Sequence, residues 1–118
     1  MTNLEMIRRF ATALPEVEEK SHFGRPGFRI RDKLFASVRN DGDRESIIVN
    51  LDRTDADTAM RDFPDALEEV WRTHGKNRIF VGLRVYLGAA SREQCRELIE
   101  LAWRNKAPKR LVAERARP

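Results

Sequence analysis

The stretch His22-Phe-Gly-Arg-Pro-Gly-Phe-Arg-Ile-Arg-Asp-Lys-Leu-Phe-Ala36 carries the pattern that decides the fold. Glycine and proline lead into a short run in which Phe28 and Ile30 alternate with arginines. The polar pair Asp32-Lys33 follows, and a second alternating run begins after it. Two alternating runs joined by a two-residue polar break are typical of a β-hairpin. The pattern therefore predicts a hairpin whose first strand and turn carry positive charges on the side that the apolar residues do not use.

Further alternating runs extend this hairpin into a sheet. Four strands are predicted, at residues 27–31, 34–39, 45–51 and 78–86. The turn signal Asn40-Asp41-Gly42-Asp43 separates the second strand from the third, and consecutive strands with short links form an antiparallel meander. Residues 16–26 are interpreted as a connector, whereas residues 65–77 fit either a helical turn or a short strand.

Three helices are predicted from apolar residues at helical spacing, at residues 4–14, 52–62 and 91–105. Capping boxes support the starts of two of them, Thr2 with Glu5 in the first helix and Ser91 with Gln94 in the third. Helices combined with half-polar strands imply an α+β two-layer sandwich, a mostly antiparallel sheet with helices on one face. The other face of that sheet is then solvated or used for binding.

Length and composition favour one globular domain at residues 1–107, followed by a basic tail at 108–118. The 118 residues are 41% hydrophobic and 36% charged, with a net charge of +4. We expect the tail to be loose, apart from a helical turn around Leu111-Val112. No apolar run approaches 18 residues, the N-terminus lacks the order of a signal peptide, and there is a single cysteine. These features predict a cytoplasmic protein with no membrane span.

Basic residues are concentrated in two segments, 20–39 and 72–84, while residues 40–71 are acidic. If the apolar sides of the strands meet the helices, the opposite face of the sheet shows arginines and two aromatic rings. Guanidinium groups suit phosphate, and exposed rings can stack on bases. The predicted nucleic-acid-binding residues are Arg25, Arg29, Lys33, Arg78, Phe80, Arg84 and Tyr86.

The same face of the sheet also fits uses other than nucleic-acid binding. Its arginines could pair with cross-strand acids such as Glu45, or the face could be covered by a protein partner or a second copy of the chain. A third, small-molecule interpretation centres on His22, Arg29 and Lys33.

Catalytic and metal-binding patterns are lacking in the sequence. His22 and His74 have no ligand partners at metal-site spacing, and Cys95 lies on the apolar stripe of the last helix. No serine has a histidine partner at a recognisable spacing. We therefore expect a non-enzymatic binding protein with no metal and no cofactor. Its predicted partner is DNA, bound weakly and mostly by electrostatics, and the alternative is a protein-interaction module that binds no nucleic acid.

The pattern resembles the MmcQ/YjbR family of small bacterial proteins. The residues that carry the resemblance are Leu14-Pro15, Val17-Glu18-Glu19, the block 22–29, Lys33-Leu34-Phe35-Ala36, the strand 79–83, Trp103 and Lys106. The resemblance implies an α-β(3)-α-β(2)-α fold like that of secretion chaperones, with the sheet and its hairpins in a double-wing arrangement. Family members often carry a DNA-binding label. They usually place a tryptophan at the start of the late strand, where this chain has Ile79-Phe80.

Overall fold

A six-stranded antiparallel sheet organises the computed structural model of the chain. The structure describes residues 3–41 and 44–116, with the side chains of all of these except 40 and 41. Along this part of the chain the elements are α1 (Leu4–Thr12), β1 (Val17–His22), β2 (Arg25–Ile30), β3 (Lys33–Asp41), β4 (Arg44–Asn50), α2 (Arg53–Asp62), β5 (Leu67–His74), β6 (Asn77–Tyr86), α3 (Arg92–Lys106) and α4 (Lys109–Ala116). The order of the strands in the sheet is β1-β2-β3-β4-β6-β5.

The helices cover one face of this sheet, as the sequence predicts. Helix α3 packs across β3 and β4, α1 packs against α3 and β1, and α2 packs against β6. Between the layers lie large side chains with no exposed surface, among them Trp103, Ile47 and Leu83. The indole Nε1 of Trp103 donates to the carbonyl oxygen of Pro15 at 3.1 Å, which ties α3 to the chain that follows α1. The predicted fold class, an α+β two-layer sandwich, is confirmed.

The helix starts depend on side-chain caps. Ser91 and Gln94 form the predicted capping box at the start of α3. Helix α2 is capped by Asp52, whose Oδ1 accepts from the backbone N–H of Asp55 at 2.8 Å. The N-cap of α1 is Asn3. The predicted capping residue Thr2 lies outside the described residues.

Two strands lie where the sequence did not predict them firmly. Val17–His22, interpreted as a connector, is the edge strand β1, and it pairs with β2 along its length. Its central residues are charged and exposed, so it lacks the apolar alternation that marks the other strands. Leu67–His74, left open between helix and strand, is β5, the other edge of the sheet.

The β2–β3 turn begins one residue earlier than predicted. Ile30 lies opposite Lys33, so Arg31 and Asp32 form the two-residue loop. Their φ angles are 51° and 65°, in the left-handed region that a type I′ turn requires. Arg31 is thereby removed from the strand, and its Nε lies 2.7 Å from Oε1 of Glu16.

A β-bulge in the hairpin of β2 and β3 changes which residues of β3 reach the core. Phe28 lies opposite Ala36 but Arg29 lies opposite Leu34, so Phe35 is an extra residue of β3. Phe35 and Ala36 are both fully buried. Leu34, by contrast, lies opposite Arg29 and points to the same side as Arg29.

A second bulge, in the hairpin of β5 and β6, reverses which face of the sheet each side chain at the start of β6 points to. The register shifts between Val70 and Trp71 because Val81 is an extra residue of β6. From Phe80 back to the start of β6 the alternation is therefore reversed. Phe80 packs against the core, whereas Ile79, expected inside, is 39% exposed.

Gly82 is the sequence feature that accompanies this bulge. A Cβ atom at that position would overlap the carbonyl oxygen of Val49, and it would lie 3.0 Å from the backbone nitrogen of Leu51. Only a residue without a side chain allows β4 to approach β6 so closely.

The C-terminal segment is a packed helix, so the expectation of a loose tail is wrong for Lys109–Ala116. Leu111 of α4 is 6% exposed and belongs to the core. Nη2 of Arg115 lies 3.2 Å from Oε1 of Glu100 on α3. The sequence signal for this packing was the apolar pair Leu111-Val112 within a basic segment.

Candidate nucleic-acid interface

The side of the sheet that faces away from the helices is called the free face here. One row of directly paired residues across β2, β3, β4 and β6 belongs to the core: Phe28, Ala36, Val49 and Leu83. Because side chains alternate along a strand, the adjacent row points to the free face: Gly27, Ser37, Ile48 and Arg84. Ile48 is buried, yet it does not belong to the core cluster under the helices.

Positive charge is concentrated on the free face. By the same alternation, its cationic side chains in the described part of the chain are Lys20, Arg25, Arg29, Arg39, Arg44, Arg72 and Arg84. Among strand residues whose side chains the structure describes, the carboxylates on this face are Glu18 and Glu68. Glu45, which the sequence suggested as a neutralising partner, lies two residues before the core residue Ile47, so its side chain points to the helix side of the sheet. The free face is therefore strongly basic.

Several of these cations are held by groups other than carboxylates. Nη1 of Arg29 donates to the backbone carbonyl of Asp32 at 3.1 Å. The guanidinium carbon of Arg44 lies 3.8 Å from the ring centroid of Tyr86, in a cation–π contact. These contacts orient the guanidinium groups without neutralising them.

The Arg39 side chain is half-buried on the free face. Its Nε is buried and has no hydrogen-bond partner among the described residues. No carboxylate within residues 3–39 and 44–116 forms a salt bridge with it. Burying a guanidinium atom without a partner carries a free-energy cost.

Small and apolar residues beneath the arginines explain this burial. Ser37, Ser46 and Ile48 are 3%, 1% and 5% exposed, although no helix covers their side of the sheet. Longer neighbours on the free face must therefore cover them. Arg39 and Arg84 flank them in the register, and the Nε atoms of both are buried. The aliphatic parts of these arginines lie along the sheet, as long cationic side chains commonly do.

His22 lies at the end of β1 on the same face, opposite Arg25. Burial, and then the positive charges of Arg29 and Arg39, lower the pKa of His22 below its ordinary value. Gly27 permits this arrangement, because a Cβ atom there would lie 2.9 Å from Cβ of His22. His22, Arg29 and Arg39 therefore form one electrostatically coupled group, called the His22 cluster below.

The structure brings together four of the seven predicted site residues. The free face carries Arg25, Arg29, Arg84 and Tyr86. Lys33 lies opposite the core residue Ile30, so its side chain points to the helix side of the sheet. It is therefore separated from His22 and Arg29, with which it was predicted to form a small-molecule site.

Arg78 and Phe80 lie on the helix side, because the Val81 bulge inverts the alternation. There Arg53 of α2 lies 4.7 Å from the ring centroid of Phe80, and Arg78 lies 4.6 Å from that of Trp71. Trp71 also packs edge-on against Phe80, with 5.2 Å between ring centroids. The predicted single surface of Arg78, Phe80, Arg84 and Tyr86 is therefore divided between two sides of the molecule.

Arg39 and Arg44 also lie on the free face, and the site prediction did not include them. Arg39 was available from the alternation of the strand, since it follows Ser37 by two residues on the polar side. Arg44 follows the turn signal of the sequence at 40–43, and the sequence gave no indication that its side chain would stack on Tyr86.

Other side-chain groups considered from the sequence have structural partners. The acidic connector residues are in ion pairs: Glu16 with Arg31, Glu18 with Lys20, and Glu19 with Arg8. Cys95 is buried. Within the described ranges no group of three metal-ligating side chains occurs, and none of the helices combines the length and apolarity needed to cross a bilayer.

Comparisons with known proteins agree with the fold. The crystal structure of the Deinococcus radiodurans protein DR2400, whose domain is described as DUF419, is similar with a TM-score of 0.69 and 17% sequence identity. The match covers 100% of this chain and 91% of that one. No curated protein matches the sequence significantly. A family model described as YjbR matches residues 12–105, and the chain therefore belongs to the YjbR family.

Proposed function

We propose that this protein binds duplex DNA through its free face and catalyses no reaction. The observation that carries the proposal is the register of the sheet, which places the side chains of Arg29 and Arg39, on the neighbouring strands β2 and β3, on the free face. Arg84 adds a further guanidinium on the same face. Guanidinium groups bind phosphate oxygens in a bidentate manner, and phosphate is the ligand that best matches such a surface.

Arg39 supports the proposal through its missing counter-charge. The described side chains offer it no carboxylate, and its Nε lacks a hydrogen-bond partner. A phosphate bound at this guanidinium would supply the negative charge that the described side chains do not. Because the side chain is already held against the sheet, little rotamer entropy would be lost on binding.

The spacing of the arginines suits a polyanion better than a single phosphate. Arg29, Arg39 and Arg84 lie on β2, β3 and β6, and the sheet order places β4 between the last two. Neighbouring strands are about 4.8 Å apart, so the three side chains span about 14 Å across the sheet. Duplex DNA presents several phosphates over this distance.

Such contacts position a protein on DNA without selecting a sequence. The exposed surface of α3 carries paired charges of both signs, including Arg96 with Glu93 and Arg104 with Glu100, which does not suit a groove-reading helix. The proposed interface includes Arg39 and Arg44 and leaves out Lys33, Arg78 and Phe80. Tyr86 acts in it as a support for Arg44.

The test is the salt dependence of binding to a labelled DNA duplex of mixed sequence, followed by fluorescence anisotropy. Three phosphate contacts predict a log–log slope of about −2.7, since each contributes about −0.9 in duplex DNA. Absence of measurable binding at low salt would contradict the proposal.

A protein-interaction module is the second candidate function, and one observation favours it. Ile79 is an apolar side chain that the bulge turns towards the free face, where it is 39% exposed. A complex with a protein partner would persist at high salt and would be lost in Ile79→Glu. Phe80→Ala does not test this candidate, because Phe80 packs against the core.

A further inference from the structure

The β5 edge of the sheet differs from the β1 edge in ways that suggest a partner. In the described part of the chain no strand lies beyond β5. Every second residue of an edge strand directs its backbone N–H and C=O away from the sheet. On β1, a two-fold pair that joins Glu18 to Lys20 would place Glu19 opposite Glu19 of the other copy, and like charges directly opposite destabilise a strand pair. On β5, Trp71 is 39% exposed and Val70 is half-buried.

The charge pattern of β5 is complementary to itself. Glu68, Val70 and Arg72 point to the free face, since Leu67 belongs to the core and side chains alternate. When two copies of a strand pair antiparallel about a two-fold axis, each residue lies opposite a residue of the other copy. The numbers of the two facing residues always add up to twice the number of the residue on the axis. If Val70 lies on the axis, Glu68 of each copy opposes Arg72 of the other.

Only this register joins the opposite charges. With Glu69 on the axis, Glu68 opposes Val70, and with Trp71 on the axis, Glu68 opposes His74. Opposite charges directly across a strand pair stabilise it, and a symmetric interface forms the same pair twice.

We infer that β5 pairs antiparallel with β5 of a second copy of this chain, with Val70 on the two-fold axis. The two six-stranded sheets then form one continuous sheet. The axis is perpendicular to the sheet, so both helix layers lie on one side and both free faces on the other. On the helix side, Trp71 of one copy lies opposite the partner's Glu69. This inference is independent of DNA binding.

A second copy fits this edge better than an unrelated strand does. An unrelated strand would have to supply complements to both Glu68 and Arg72, whereas in a two-fold pair these two residues, placed symmetrically about an apolar one, satisfy each other. Pairing would also cover the exposed edge of Trp71, whose Nε1 already donates to Glu69 at 3.0 Å.

The first test is sedimentation velocity of the full chain over a range of protein concentrations. A concentration-dependent dimer is expected for the natural sequence. Arg72→Glu should weaken dimerisation about tenfold, because two attractions become repulsions, and Glu68→Arg combined with Arg72→Glu should restore it. Glu97→Arg on the exposed surface of α3 is the control and should leave the dimer unchanged.

The second test reports the register directly and does not depend on charge. Val70→Cys should form an intermolecular disulfide under mild oxidation, because cross-strand Cβ atoms lie about 4.5–5.5 Å apart. Thr73→Cys, on the same strand but away from the axis, should not. The natural Cys95 is buried and does not compete.

A chain that stays monomeric at every concentration would overturn the inference, and so would a dimer insensitive to Arg72→Glu. A disulfide formed equally by Val70→Cys and Thr73→Cys would exclude the register. If β5 of the natural protein pairs with a strand of another protein and never with β5 of a second copy, the inference is wrong. Circular dichroism of each variant separates loss of pairing from loss of folding.

Discussion

On the helix side of the molecule Arg8 and Arg53 form salt bridges with carboxylates, whereas on the free face Arg29 and Arg44 contact a carbonyl group and a ring. Arg8 reaches Glu19 with its Nε 2.8 Å from Oε1, and Arg53 reaches Glu69 with its Nη2 3.1 Å from Oε2. These pairs are exposed, so each contributes little to stability. Their main consequence is that the helix side has little unbalanced positive charge.

The free face shows the opposite arrangement with the same residue type. Arg29 is held by the carbonyl of Asp32, Arg44 by the ring of Tyr86, and Arg39 by no described carboxylate. The difference teaches that arginine content is a poor guide to function in this chain. What distinguishes the free face is that Arg29 and Arg44 are held by a carbonyl group and a ring, although the register places Glu18 opposite Arg29.

The largest expected effect is a loss of DNA affinity when the charges of two arginines are reversed on the free face, compared with the same change on the helix side. Arg29→Glu with Arg84→Glu should lower the affinity for duplex DNA at least about a hundredfold at low salt, since phosphate contacts become repulsions. Arg61→Glu with Arg78→Glu changes the net charge by the same amount on the helix side and should have a far smaller effect. Anisotropy titrations of both double variants check this. Equal losses would mean that only net charge matters.

Removing one guanidinium should have an intermediate effect. Arg39→Met keeps the length of the side chain, and the lost charge-assisted contact should lower affinity about tenfold. The free energy of unfolding should stay equal or rise, because a buried unpaired atom is removed. Thermal denaturation and anisotropy measure the two quantities. Arg8→Met is the control, and an unchanged affinity in Arg39→Met would exclude Arg39 from the interface.

The pH dependence of binding should be smaller still. In the free protein the pKa of His22 is lowered by burial and then by Arg29 and Arg39. Phosphates bound nearby favour the imidazolium and raise that pKa, so binding takes up a proton and affinity rises as pH falls between the two values. A few-fold change is expected on going from pH 7.5 to about pH 5.5, across the range where histidine titrates.

His22→Gln should remove this dependence, while His74→Gln should preserve it. Anisotropy titrations at several pH values and constant ionic strength decide the matter. A dependence that survives in His22→Gln would place the titrating group elsewhere.

The smallest effect is expected from the C-terminal helix. Lys109→Gln with Arg110→Gln should lower affinity about twofold or less, since α4 lies on the helix side and charges more than about 10 Å away are screened at 0.1 M salt. Truncation at residue 107 is unsuitable as a test, because it removes the buried Leu111. A large loss in the double variant would extend the interface to α4.

Elements with strong local signals could be predicted from the sequence. For helices α2 and α3 the sequence contains recognisable capping and helix-ending residues. For the meander of β2, β3 and β4 it shows alternating apolar and polar residues. Strand β1 could not be recognised, because an edge strand made of charged residues lacks apolar alternation. Its strand conformation comes from pairing with β2, which is a tertiary effect.

The candidate site was predicted only in part, because two bulges changed the parity of strands that were otherwise placed well. Phe35 and Val81 are extra residues that local sequence does not mark as unpaired. Gly82 was the available signal, since an isolated glycine within a strand often accompanies a bulge. Assigning sides by strict alternation therefore put Arg78 and Phe80 on the wrong surface.

The Val81 bulge also decides which end of β6 would contact DNA under the proposed function. It leaves Arg84 on the free face and sends Arg78 to the opposite side. From Lys20 on β1 to Arg84 on β6 the sheet order counts four strand spacings, or about 19 Å. With a rise of about 3.4 Å per base pair, one molecule would occlude about six base pairs. Copies bound side by side along a duplex would therefore saturate it at a short, regular interval.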